Sequence, residues 1–193
     1  MTVGAIVVGG LSTAYAIGDS TRPAGQVVAA ARQSAAVNAP REAANSRHPS
    51  DHAREETEAA LAWMATAGWS VPETLPEGYH FTSFEYSTIE EEKLSVMIAT
   101  PTGSISLTLL HARIDPSDLN GLTARVIGGR SVYCHEVDGQ LSGAMNSGGE
   151  LLAFVSNASE DDLAAVLANS PGPRAMTPAA RIARGLSQMR ILR

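Results

Sequence analysis

The sequence predicts an α+β fold: an antiparallel sheet meander of about six strands, with a lead-in helix and two C-terminal helices. Three observations carry this expectation. Residues 50–68, "SDHAREETEAALAWMATAG", have helical spacing, and their apolar positions Leu61, Met64 and Ala65 fall on one side. After residue 78 the apolar period changes to two and stays there through several short segments separated by turn residues. Helical spacing then returns in "SEDDLAAVLANS" and again after Thr177-Pro178.

The lead-in helix begins at Ser50 or Asp51, where Glu55, Glu56 and Glu58 suit the positive end of the helix dipole, and Gly68 stops it. Pro72 and Pro76 in "GWSVPETLPEGY" forbid both helix and central strand, so this stretch is an extended entrance to the sheet. Trp69 is expected to pack where helix and sheet meet. Strands follow in "YHFTSFEY", with Tyr79 and Phe81 on one side, in "KLSVMIAT" with Leu94, Val96 and Ile98, and in "SISLTLLHA" with Ile105, Leu107 and Leu109. A polar loop, "RIDPSDLNG", leads to "GGRSVYCHEVDG", "QLSGAMNSGG" and "ELLAFVS", with turns at Asp138-Gly139 and Gly148-Gly149. Ser159 caps the next helix, and Pro178 opens the last one at its first position.

Four parts emerge. Residues 1–18 carry no charge in "TVGAIVVGGLSTAYAIG" and form an apolar anchor or signal-like segment. A helix of this length spans roughly 25 Å against the ~30 Å of a bilayer core, and "AYA" at 14–16 has the form of a signal cleavage site. Anchor, signal and buried apolar segment remain open as readings. Residues 19–50 hold few large apolar groups and read as a flexible tether. Residues 51–173 form the α+β domain, and residues 174–193 a basic amphipathic helix.

Charge is distributed unevenly. The chain has a net charge of −6, which argues against a nucleic-acid binder. Residues 51–173 hold 18 of the 20 acids against five bases, whereas residues 174–193 hold five arginines and no acid. In that tail Ile182, Leu186 and Met189 form an apolar stripe flanked by Arg181 and Arg184. Arg181, Arg184, Leu186, Met189 and Arg190 are the candidate contacts to a partner protein or an anionic membrane surface.

Chemistry is sparse. Cys134 is the single cysteine and alternates into a strand, so it reads as a core residue. His52 and Glu56 stand at i,i+4 beside His48, Asp51 and Glu55, but acids at a helix start explain themselves electrostatically. His111 and His135, with Asp115, Asp118 and Glu136, fall on separate strands and loops without an activated nucleophile. No catalytic, cofactor-binding or metal-binding residues are assigned; the expectation is a non-enzyme with no cofactor.

The stretch "WMATAGWSVPETLPEGY", the motif V-x-G-G-x-x-V-Y at residues 126–133, the Gly148-Gly149 turn and "VSNASEDDL" together resemble the C-terminal extracytoplasmic domain of actinobacterial sigma-E regulatory proteins of the MucB/RseB type. The tail "AARIARGLSQMRILR" is similar to the arginine-containing helix that ends many such chains. The resemblance covers residues ~60–193. It implies a membrane-linked regulatory domain outside the cytoplasm that binds an anti-sigma factor or another envelope regulator. The lipoprotein-carrier-like half that precedes this domain in the family is missing here, and Ala144 and Met145 stand where a tryptophan is expected, so lipid sensing does not carry over. The alternative expectation is a secreted or anchored carrier of a lipid or other small amphiphile.

Overall fold

The computed structural model describes residues 21–45, 51–72, 74–87, 93–100, 102–117, 119 and 121–172. The elements are β1 (Thr21–Pro23), α1 (Ala24–Asn45), α2 (Asp51–Ala67), β2 (His80–Ser87), β3 (Lys93–Ala99), β4 (Ser104–Leu110), β5 (Arg113–Asp115), β6 (Thr123–Ile127), β7 (Arg130–Val137), β8 (Gln140–Ser147), β9 (Glu150–Ser156) and α3 (Glu160–Ala168). The α+β class, the antiparallel sheet, the lead-in helix and the helix after the sheet are as the sequence predicts. The last helix expected from Pro178 lies outside the described residues.

Seven strands form the main sheet in the order β2-β3-β4-β9-β8-β7-β6. Two runs of hairpins, β2-β3-β4 and β6-β7-β8-β9, meet where β4 pairs with β9, from Ile105↔Ser156 to Leu110↔Leu151. The chain therefore leaves the centre after β4, starts again at the far edge with β6 and folds back inward. Strand β6 is the addition to the expected set. Its turn to β7 is Gly128-Gly129, and Gly128 has φ +57° where a Cβ would run into the Ala164 carbonyl of α3. Only glycine permits both that backbone and that approach. A second, two-stranded sheet pairs β1 with β5 in parallel.

Strict alternation places Leu94, Val96 and Ile98 of β3 and Ile105, Leu107 and Leu109 of β4 on one face, together with Leu152, Phe154, Met145 and Cys134. Met64 and Trp69 from the α2 end and Leu163, Val166 and Leu167 from α3 cover this face. The α3 helix is fixed at its start by Ser159, whose hydroxyl accepts from the Asp162 amide at 3.1 Å and donates to Asp162 Oδ2 at 2.7 Å. Its acids Glu160, Asp161 and Asp162 occupy the first turn, where the dipole favours them.

The opposite face corrects the tether expected over residues 19–50. Residues 24–45 are helix α1, and Ala24, Val27, Val28 and Ala31 are buried against Leu110, Ala144, Leu151, Ala153 and Val155. The buried helix side chains are small, and Ala144 and Ala153 of the strands belong to the same buried cluster. With both faces covered, Met97, Ala99 and Leu110 are buried as well as their alternating neighbours.

Candidate functional site

The site grows from the exit of α2. The Gly68 amide bonds to the Ala65 carbonyl at 3.2 Å and the Trp69 amide to Met64 at 2.9 Å, which turns the chain sharply and sends the Trp69 side chain back onto the sheet. Pro72 is buried directly after it and keeps the connector extended. Trp69 is 5% exposed. Its indole stacks on the His111 imidazole with ring centroids 4.0 Å apart and planes 11° from parallel. The expected packing of Trp69 at the helix–sheet junction is what the structure shows.

His111 follows β4 directly, and Glu150 opens β9, one position beyond the last pair, Leu110↔Leu151. The two side chains are therefore neighbours across the strands. His111 Nδ1 lies 3.8 Å from Glu150 Oε1, an ion-pair separation when the ring is protonated and longer than a hydrogen bond. Both are buried. The Gly148 turn beside them closes against Ser70: a Cβ on Gly148 would come within 2.5 Å of Ser70 Oγ. The same turn holds the chain after α3, since the Gly148 amide bonds to Pro171 and Gly172 carbonyls at 3.2 and 3.1 Å. Arg130 donates to the Ser170 and Pro171 carbonyls at 3.0 and 2.7 Å, and Ser147 Oγ donates to Pro171 at 2.9 Å.

Outward from this buried base the aromatic contacts continue. Tyr86 on β2 stands edge-on to Trp69 at 6.3 Å, and Trp63 on α2 stands edge-on to Tyr86 at 5.2 Å. Trp63 is 46% exposed and Tyr86 41%. Glu56 lies two helical turns before Trp63 on the same side of α2 and, like Glu55, is exposed. The result is a row of rings that begins in the core and ends at the surface, bordered by acids. Such a row offers large, rigid contact area with little side-chain freedom to lose on association.

The other chemically capable residues are dispersed. His135 follows Cys134 on β7, so it projects from the face opposite His111, and the two imidazoles lie on opposite sides of the sheet. Arg32 Nη1 is 3.2 Å from His135 Nε2. Burial pushes the Cys134 thiol above its ordinary range despite the lowering effect of Arg125, which suits a core side chain. Asp115 is held below the usual carboxylate range by hydrogen bonds from the Ser117 hydroxyl and amide. Among the described residues no three His, Cys, Asp or Glu side chains come together as metal ligands.

The tail residues Arg181, Arg184, Leu186, Met189 and Arg190 lie outside the described residues, as do residues 1–18 and His48. Among the described residues no helix is long and apolar enough to cross a membrane. The sequence reading missed the Trp63–Tyr86 and Trp69–His111–Glu150 groupings. The only signal for the first was the aromatic pair Trp63 and Trp69 flanking a helix stop; nothing in the sequence joined it to Tyr86, His111 or Glu150. No protein-family model matches the chain, and no curated protein matches it in sequence.

Proposed function

We propose that this protein is a non-enzymatic regulatory domain that acts by binding another protein, in the manner its resemblance to sigma-E regulators implies. The observation that carries the reading is the exposed Trp63–Tyr86 pair, braced from beneath by the buried Trp69–His111 stack. Energetic hot spots of protein interfaces are enriched in tryptophan and tyrosine set among residues that exclude water. A ring supported by a packed neighbour is already in its bound conformation, so association does not have to order it. The face of the sheet that an amphiphile carrier would hollow out is instead occupied by Met64, Trp69, Leu163, Val166 and Leu167.

The proposed partner is the extracytoplasmic part of an anti-sigma factor or another envelope regulator, with the domain held outside the cytoplasm. In this reading Arg181, Arg184, Leu186, Met189 and Arg190 form a second contact, either to the same partner or to an anionic membrane surface.

Calorimetric titration of the full chain with the extracytoplasmic segments of anti-sigma factors from the same genome tests the proposal. One segment is expected to bind, and Trp63→Ala or Tyr86→Ala to weaken it by roughly thirtyfold, the effect of losing a hot-spot contact of about 2 kcal/mol. Absence of binding by every segment, or equal affinity in both variants, would remove the proposal. Deleting residues 174–193 separates the two contacts: a deletion that leaves affinity unchanged excludes the tail from the protein interface.

A further inference from the structure

We infer that the basic tail, residues 174–193, covers the exposed Trp63–Tyr86 pair until a partner displaces it, which makes the tail an internal competitor for that surface. This control of access rests on the reading of the pair as a binding surface. The tail itself lies outside the described residues.

The place where the tail departs is fixed beside the aromatic row. The Pro171 and Gly172 carbonyls accept from the Gly148 amide at 3.2 and 3.1 Å. Gly148 closes in turn against Ser70, whose Oγ lies 2.5 Å from where a Cβ on that glycine would stand. Ser70 follows Trp69, the buried base to which Tyr86 stands edge-on at 6.3 Å, with Trp63 a further 5.2 Å out. In the sheet Tyr86 pairs with Leu94, Leu94 with Leu109 and Leu109 with Leu152, so three strand spacings, roughly 15 Å, separate β9 from Tyr86. That gap is well within reach. Arg181 is nine residues beyond Gly172, and nine extended residues span about 30 Å.

Charge selects this occupant. The exposed Glu55 and Glu56 border the row, whereas the tail holds five arginines and no acid. A second copy of the chain would bring the same acids to the row and be repelled by them. Arginine is drawn both to carboxylates and to the faces of indole and phenol rings. Leu186 and Met189 supply apolar surface for the same rings. Covalent attachment raises the effective concentration of such a contact to roughly the millimolar range, so a contact too weak to hold separate molecules together is populated within one chain. Once displaced, the tail is free for its own contact to the partner or to the membrane.

Acrylamide quenching of tryptophan fluorescence in the full chain, with no partner present, tests the covering. Trp69 is 5% exposed, so the quenching reports on Trp63, and Trp63→Phe supplies the baseline. The combined variant Arg181→Gln, Arg184→Gln, Leu186→Ala is expected to raise the quenching constant of Trp63 at least about twofold, because losing the docked population frees the ring. An unchanged constant overturns the inference. Location is read by photo-cross-linking of the full chain with p-benzoylphenylalanine in place of Met189. The expected product is intramolecular and joins that position to α2 or β2. A product that joins two copies, or one that lands on another part of the domain such as α3, also overturns the inference. Neither measurement uses a partner, so their failure leaves a positive calorimetric titration standing, and failure of every anti-sigma segment to bind leaves both of these results unaffected.

Discussion

Trp63 and Trp69 are six residues apart on the same helix exit, yet the structure gives them different work. Trp69 is 5% exposed and stacked on His111, so Trp69→Ala empties the junction between α2 and the sheet. Chemical denaturation is expected to show a loss of about 3–5 kcal/mol for Trp69→Ala. Trp63 is 46% exposed and touches Tyr86 edge-on, so Trp63→Ala should cost less than about 1 kcal/mol. Equal losses in the two variants would mean that the outer ring is part of the core and not a binding surface. Tyr79 gives a residue-scale prediction in pH. Burial, and then the charge of Asp162 that its hydroxyl donates to at 3.2 Å, raise its pKa above the ordinary phenol value. A phenol with a raised folded pKa contributes stability that is fully present below the unfolded value of about 10 and is lost as the pH rises through the folded one. Tyr79→Phe should therefore flatten the alkaline limb of a denaturation midpoint-versus-pH curve. An unaltered alkaline limb would show that another group controls it.

At the scale of elements the informative comparison is between α1 and α3. Helix α3 announces itself: Ser159 caps it, three acids fill its first turn, and Leu163, Val166 and Leu167 recur at helical spacing. Helix α1 has no acid in its first turn and no base in its last, and its buried side is alanine and valine. Alanine favours a helix but contributes little buried area, so composition alone reads as a tether. What stabilises α1 is its burial against the sheet, where Ala24, Val27, Val28 and Ala31 share one cluster with Leu110, Ala144, Leu151, Ala153 and Val155. Limited proteolysis at pH 7.5 is accordingly expected to spare residues 24–35. Early cleavage within 24–35 at that pH would contradict the packing of α1 on the sheet. Strand β6 was missed for a related reason. It lies at the edge, four of its five residues are exposed, and it lacks the alternation that marked its neighbours.

At the scale of the whole molecule, the sheet divides the protein into two sides with different characters. One side carries the large side chains, the α2 and α3 helices and the aromatic row that reaches the surface. The other carries small residues, buried serine and threonine, and the helix held at its polar contact by Arg32 and His135. The aromatic row and α1 therefore lie on opposite faces of one sheet. The central pair β4–β9 runs between them, so a change in α1 packing and a change in the aromatic row share the same two strands. What the sequence determined by itself was local. Alternation in "KLSVMIAT" and "SISLTLLHA", the helix stop at Gly68, the Ser159 cap and the glycine turns each specify their own element, because backbone geometry and side-chain period act over a few residues. Only the tertiary structure decided which strand lies beside which, that a helix of small residues is buried against the sheet, and that Trp69, His111 and Glu150 meet. Those outcomes depend on contacts between positions far apart in the chain, 103 residues for Arg32 and His135, and no local pattern encodes a contact whose partner is set by the closing of the sheet.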